Sequence, residues 1–485
     1  MIAGLKPYPS MKDSGAPWLG KVPEHWDVLP NRALFTEVKE RDHPSEQMLS
    51  VTITKGVIRQ QAFLADSSKK DSSNQDKSAY KLVRPGEIAY NKMRAWQGAI
   101  GVSDYQGIVS PAYVVQRPHE GADSRYLHYL LRTPTFAKEA ERWSYGITSD
   151  MWSLRPEHFK MIYCSLPTKG EQSGIVRFLD HADRRIRRYI LAKQKLIKLL
   201  EAQKQAVIHR AVTRGLDPNV RLKPSGVEWL GDVPKHWEVL RLKTLVRVID
   251  QGVSPQAENR LADDGSWGVL KAGCVNRGVF RDTEHKRLPA DFPFDPNLGV
   301  EIGDVLVSRA SGSPQLVGSV GRVQSLAYRL ILSDKTFRPV FNTRADSDFM
   351  VLAMNSRYYR QQVEQAISGA EGLANNLPSS SLRAFAFAVP PVLEQRTIVE
   401  HVRGLTNQLL GTISNALREI DLLREYRTRL IADVVTGKLD VREAAARLPD
   451  ETDELETFDG VEALPEGDEE TEDADLDAVP EEAEA

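Results

Sequence analysis

The sequence predicts an α+β protein. Two mixed α/β domains are joined by two long antiparallel coiled-coil helices, and the arrangement is pseudo-two-fold because the chain is internally duplicated. A disordered acidic C-terminal tail follows. Three observations carry this expectation. First, Ser14 to Leu29 returns as Ser225 to Leu240, with eleven of sixteen positions identical at an offset of 211. Second, Pro167-Thr168-Lys169-Gly170-Glu171-Gln172 pairs with Pro390-Pro391-Val392-Leu393-Glu394-Gln395 at an offset of 223. That offset holds to Val212-Thr213 and Val435-Thr436. Third, a long apolar seam free of proline runs between those landmarks in both copies.

Steps of alternating four and three trace the seam. In the first copy they meet Ile175, Leu179, Ala182, Ile186, Tyr189, Lys193, Leu196, Leu200, Gln203 and Val207. In the second they meet Ile398, Val402, Leu405, Leu409, Thr412, Ala416, Glu419, Leu423, Tyr426 and Leu430. About forty helical residues make a rod of roughly 60 Å. The polar seam positions suit a role in fixing register.

The segments ahead of each helix contain short β-like runs, such as Gly107-Ile108-Val109 and Asp304-Val305-Leu306-Val307, separated by Gly, Pro, Asn and Asp. They are weakly related. Gly86-Glu87-Ile88-Ala89-Tyr90-Asn91-Lys92 aligns with Gly303-Asp304-Val305-Leu306-Val307-Ser308-Arg309, now at an offset of 217. The climbing offset places insertions of the second body in surface loops. The expected order is a repeated segment (1–30), a first body (31–165), a central spacer helix (166–215), a second repeated segment (216–240), a second body (241–388), a C-terminal spacer helix (389–448) and the acidic tail (449–485). Packed antiparallel, the helices would let each repeated segment meet the end of the other copy's helix.

Composition narrows the class. No apolar run approaches a membrane span, and the first thirty residues lack a signal-peptide apolar region. Two cysteines, Cys164 and Cys274, form no metal-ligand spacing or disulfide framework and fit a reducing cytoplasm. The formal net charge of -3 hides an asymmetry. Residues 450–485 hold 18 Asp and Glu and no Lys or Arg, so residues 1–449 carry +15. A basic body suits a polyanion partner, because each neutralised phosphate releases counterions.

Together these landmarks resemble the specificity subunit of a type I restriction–modification system. The residues that carry the likeness are Trp18-Leu19-Gly20 with Pro23-Glu24-His25-Trp26, their copies Trp229-Leu230-Gly231 and Pro234-Lys235-His236-Trp237, and the helix starts at Pro167 and Pro390. Pro85 to Ile88, Asn91 to Trp96, Gly107 to Tyr113 and Gly303 to Arg309 fit the same family. The resemblance covers about residues 10–445 and implies two target-recognition domains, each reading one half of a split double-stranded DNA site. It implies that the helices act as spacer and as docking site for modification subunits, two of them, with restriction or translocase subunits as further partners. It implies no catalysis by the chain itself. Two readers on such a rod suit half-sites roughly one duplex turn, ~34 Å, apart.

Base reading needs polar or basic side chains at groove edges. In the first body these are Asn91, Lys92, Arg94, Trp96 and Gln97, leaving a strand, with Trp96 read as packing. A donor-rich loop adds Lys69, Lys70, Asn74, Gln75 and Lys77. In the second body Ser308, Arg309, Ser311, Ser313 and Gln315 occupy the matching place, supported by Lys271, Asn276 and Arg277. The first helix is basic, with ten Lys or Arg and one acid over 184–214, and suits spacer phosphates or an acidic protein face equally. The tail reads as a solubility segment or as a competitor for the basic surface. His25 and His236 read as parts of a clamp, with no nucleophile or metal set beside them.

Two other readings are open. Asp264 with Glu284-His285-Lys286 superficially fits a Mg²⁺ nuclease pattern, but the first body has no counterpart. The second is a coiled-coil scaffold without DNA, against which the basic body and the diverged domains argue. No phosphate-cradling or cofactor loop and no Asn-Pro-Pro-Tyr-like methyltransferase motif stands in the chain. Neither S-adenosylmethionine nor ATP, nor any other cofactor, is expected on it alone.

Overall fold

The computed structural model describes residues 5–65, 76–148, 151–293, 295–367 and 375–449, with only the backbone of Phe63, Ala65 and Arg277. The tail lies outside these, apart from Pro449. Contacts divide the chain into two compact units. One combines residues 1–192 with 419–485, and the other is 193–418. Each unit therefore holds one body, the start of one long helix and the end of the other.

The first unit's strands include β1 (Phe35–Val38), β2 (Lys81–Val83), β3 (Ile88–Asn91), β4 (Ile100–Val102), β5 (Gly107–Val109) and β6 (Tyr113–Pro118). Helices α1 (Ser124–Leu131), α2 (Pro134–Arg142) and the long α3 (Lys169–Arg214) follow. Four strands form an antiparallel sheet in the order β1-β6-β3-β4, and β2 pairs with β5 beside it. The second unit repeats this plan with β7 (Val246–Gln251), β8 (Val305–Ser308), β9 (Val320–Arg322) and β10 (Thr336–Phe341) in the order β7-β10-β8-β9. Helices α4 (Ser347–Ala353), α5 (Arg357–Ala366) and the long α6 (Val392–Val435) complete it. The fully apolar centres of β3 and β8 follow from burial on both faces.

The repeated segments grip the helices as expected. In the first unit Leu19, Val22 and Trp26 are buried with Ile175 and Phe178 of α3 and with Leu430, Val434 and Val435 of α6. Gly437, at φ +74°, ends α6 against this segment. A Cβ there would stand 2.2 Å from Pro23 Cδ and 3.1 Å from Trp26 Cζ3. In the second unit Gly215, at φ +73°, ends α3, and its Cβ would lie 3.3 Å from Trp237 Cζ2. Both are left-handed helix ends that favour glycine. The histidines hold the opposite helix starts: His25 Nε2 lies 2.9 Å from Glu171 Oε2, and His236 Nε2 lies 2.8 Å from Glu394 Oε2.

The neighbouring glutamines repeat a tighter bracket. Gln172 Nε2 donates to the Gly121 and Pro167 carbonyls, and its Oε1 accepts from Asp123 N–H at 2.6 Å. Gln395 does the same with the Arg344 and Pro390 carbonyls and Asp346 N–H at 2.7 Å. Asp123 and Asp346 in turn cap α1 and α4 through two N–H bonds each.

The seam needs one correction. Ile175, Leu179, Ala182, Ile186, Ile398, Val402, Ala416 and Leu430 are buried, and Lys193, Leu200, Val207, Leu409, Leu423 and Tyr426 half-buried. Tyr189, Leu196, Gln203, Leu405, Thr412 and Glu419 face outward, with Tyr189 53% exposed. The covered positions there are Ile190, Ile197, Lys204, Thr406, Ile413 and Ile420. From Ile175 to Ala211 ten steps cover 36 residues, the 3.6 period of an undistorted helix rather than the 3.5 of a strict coiled coil. A heptad rule drifts by ~20° per repeat against that period, so it slips one position within two or three heptads.

Gly437→Ala tests the seat on Trp26. Gly15, at φ +69° with nothing within 4 Å of a Cβ, is the control in the same unit. Both alanines cost about 1–2 kcal/mol for the left-handed backbone. Gly437→Ala should lose a further ~1–3 kcal/mol to overpacking. Denaturant unfolding of the first unit reads the difference, and equal losses would remove the tight contact.

Candidate nucleic-acid interface

Sheet topology gathers the basic residues. In the first body β1 leaves the sheet at Val38, β3 leaves at Asn91 and β6 enters at Tyr113, with Tyr113 opposite Asn91 and Val115 opposite Val38. Antiparallel pairing puts those three ends on one rim. Lys39 and Arg41 continue from β1, and Lys92 and Arg94 from β3. The Leu82 N–H donates to the Glu40 carbonyl, and Asp42 N–H donates to the Ser78 carbonyl. This draws Lys81 and Lys77 to the same rim.

Lys81 is the residue that sequence reasoning missed. It is 7% exposed, and its Nζ donates to the Tyr113 carbonyl at 2.5 Å. Burial first, then the nearby cations Lys92, Arg41 and Lys39, lowers its pKa to about 8, against an opposing pull from Glu37. Inside the β-run Tyr80-Lys81-Leu82-Val83 it reads as an ordinary edge lysine.

The anticipated residues divide. Lys92 is half-buried at the rim, and Arg94 Nη1 lies 3.3 Å from Gln97 Oε1. Trp96 packs edge-on against Trp152 and donates to the Met93 carbonyl at 2.9 Å, which is a packing role. Asn91 is 3% exposed, and its Oδ1 accepts from Met93 N–H, shaping the turn out of β3. Lys69, Lys70, Asn74 and Gln75 lie outside the described residues.

The second body builds the same rim. Here β7 ends at Gln251, β8 ends at Ser308 and β10 begins at Thr336, opposite Ser308. Arg309 follows β8 as Lys92 follows β3. Its Nη1 donates to the Asp334 carbonyl at 2.9 Å, beside Lys335. Ser308 is fully buried and donates to the Ala272 carbonyl at 3.4 Å. That bond lays the Lys271 to Asn276 turn beside the strand end, with Arg277 next in sequence. Ser311 accepts from Ser313 N–H, and Ser313 donates to Gln315 Oε1 at 2.7 Å. Asn91 and Ser308 thus hold matching internal posts, and the half-buried Lys92 and Arg309 follow them at the strand ends.

The comparisons bear on this duplicated frame. No family model matches the chain. The EcoEI type I restriction enzyme specificity subunit of Escherichia coli is 27% identical over 228 residues, covering 46% of this chain and 38% of that protein. The EcoKI specificity subunit of E. coli K12 is 20% identical over 438 residues, covering 87% of this chain and 90% of its own length. A chain solved in work on complex assembly and conformational transition of the type I R-M system superposes with a TM-score of 0.63 at 16% identity. It covers 86% of this chain and 99% of that one, and so shares the fold.

The chain is thus similar to type I specificity subunits over most of its length and shares the fold of that solved chain. Among the described residues no three His, Cys, Asp or Glu side chains converge to hold a metal. His285 is buried, donating from Nδ1 to the Asp282 carbonyl and accepting at Nε2 from Ala262 N–H, while Asp264 and Lys286 are exposed. Both thiols of the chain are buried, and burial pushes Cys274 up to about 12. Among its described residues no helix is long and apolar enough to cross a membrane.

Lys81 leaves a stability signature. Its folded pKa of about 8 lies below its unfolded value of about 10.4, so the unfolded chain binds the extra proton between these pH values. Stability of the native chain should therefore rise, by at most about 3 kcal/mol, relative to Lys81→Met as pH climbs from 8 to 10. Denaturant unfolding of both proteins at pH 7, 8, 9 and 10 measures the gap, and a gap independent of pH contradicts the burial of a charged lysine.

Proposed function

We propose that this chain supplies DNA sequence specificity to a type I restriction–modification complex. Each body reads one half of a bipartite duplex site through its strand-end rim, and the long helices set the separation and dock modification subunits. The chain has no catalysis of its own, works with restriction or translocase subunits where present, and acts in the cytoplasm. The observation that carries this reading is the repeated rim. The frame around it is copied closely, with His25 and His236, Gln172 and Gln395 in matching bonds. The rim residues themselves diverge, Lys92 against Arg309 and Lys81 against no equivalent lysine. A copied frame with diverged edges suits two readers of different half-sites, since phosphate contacts position and base contacts specify.

Exchange of residues 31–165 for the corresponding body of another type I specificity subunit tests it. In a complex assembled with modification subunits, the methylated sequence should change in one half and keep the other half and the spacing. A change in both halves, or in neither, contradicts two independent readers.

A further inference from the structure

Lys81, Lys92 and Arg41 share the rim of the first body, and among the described residues no carboxylate forms an ion pair with any of them. Several neighbouring basic side chains are paired: Arg84 with Glu40, Arg117 with Glu87, Lys39 and Lys160 with Glu37. Glu37, the carboxylate facing Lys81 from β1, is thus already shared by two lysines. The groups that face Lys81 are Glu37, Lys39 and Arg41 from β1 and its exit, Lys92 from the exit of β3, and the Tyr113 carbonyl from β6. A buried ammonium with one neutral acceptor and cations on two sides lacks the counter-charge that burial ordinarily demands. One of its three N–H donors is spent on Tyr113, and among the described residues the other two meet no acceptor.

We propose that Lys81, Lys92 and Arg41 form a socket for a single backbone phosphate of the DNA, and that the phosphate seats only when Lys81 is protonated. This rests on the DNA-reading role above and adds a defined ligand group and a regulation to it. The phosphate supplies the missing anion, the Tyr113 carbonyl orients the Lys81 ammonium, and Lys92 and Arg41 close the ring of charge. In the free chain Lys81 holds its proton below about pH 8 and releases it above. Seating the phosphate holds the proton on, so binding above that pH takes up one proton from solution. At the 217 offset that pairs Gly86 with Gly303, Lys81 meets Leu298, so the pH response belongs to the first body alone.

Fluorescence anisotropy of the full chain on double-stranded DNA at fixed salt, from pH 6.5 to 9.5, tests the proposal. Native affinity should be level to about pH 8 and then fall, by roughly tenfold in all, toward that of Lys81→Met. Lys81→Arg, which keeps its charge, should bind at pH 7 like the native chain and stay level to pH 9.5. Lys81→Met should bind roughly tenfold more weakly at pH 7, with no fall above pH 8 and a salt slope smaller by about 1. Melting curves for each variant report folding, and should Lys81→Met fail to fold, Lys81→Arg alone decides. Retention of the native fall above pH 8 in Lys81→Arg overturns the socket while leaving DNA reading intact. Absence of DNA binding by the native chain at every pH overturns the DNA reading itself, and the socket with it.

Discussion

Everything else in this molecule depends on the contact between each repeated tryptophan and the end of a helix encoded in the other half of the chain. Trp26 receives Gly437 from the end of α6, and Trp237 receives Gly215 from the end of α3. Only a residue without a Cβ fits at Gly437, and only a left-handed residue turns the chain away in time. The histidine beside each tryptophan holds the glutamate at the start of the nearer helix. Each unit is therefore closed by two helix ends of opposite polarity, and neither half of the sequence supplies both.

That constraint explains where divergence is allowed. The glutamine brackets at Gln172 and Gln395 join the helix start to the capping aspartates Asp123 and Asp346, and fix α1 and α4 against each sheet. With the sheet so fixed, the strand ends are placed without needing particular residues at the rim. Lys92 and Arg309 can differ, and Lys81 can exist in one body only. The rim is free to differ between the two copies while the frame is not.

Much of this was legible in the sequence. The duplicated segments, the Glu-Gln helix starts and the Val-Thr helix ends mark the frame because both copies obey the same contacts. The equivalence of Asn91-Lys92 with Ser308-Arg309 also survives, because topology carries them to matching strand ends. The seam was partly misplaced, since a heptad rule accumulates phase error along a helix of period 3.6, which is why Tyr189 and Thr412 face outward and Ile190 and Ile413 inward. Residue type alone could not show that Asn91 and Ser308 are buried and bond within the fold. Lys81 escaped notice because its character comes from burial and from cations on other strands. Asp123 and Asp346, at the same offset as the glutamines, carried a signal that pairing the two copies residue by residue finds.

The central claim is that one duplicated frame carries two separate readers. Mapping of methylated bases across host DNA, with and without the gene for this chain, tests it most directly. The account predicts that the gene adds one methylated sequence made of two short specified elements separated by a fixed number of unspecified base pairs. A single uninterrupted recognition sequence, or an unchanged methylation map in a host that supplies the modification subunits, would contradict it.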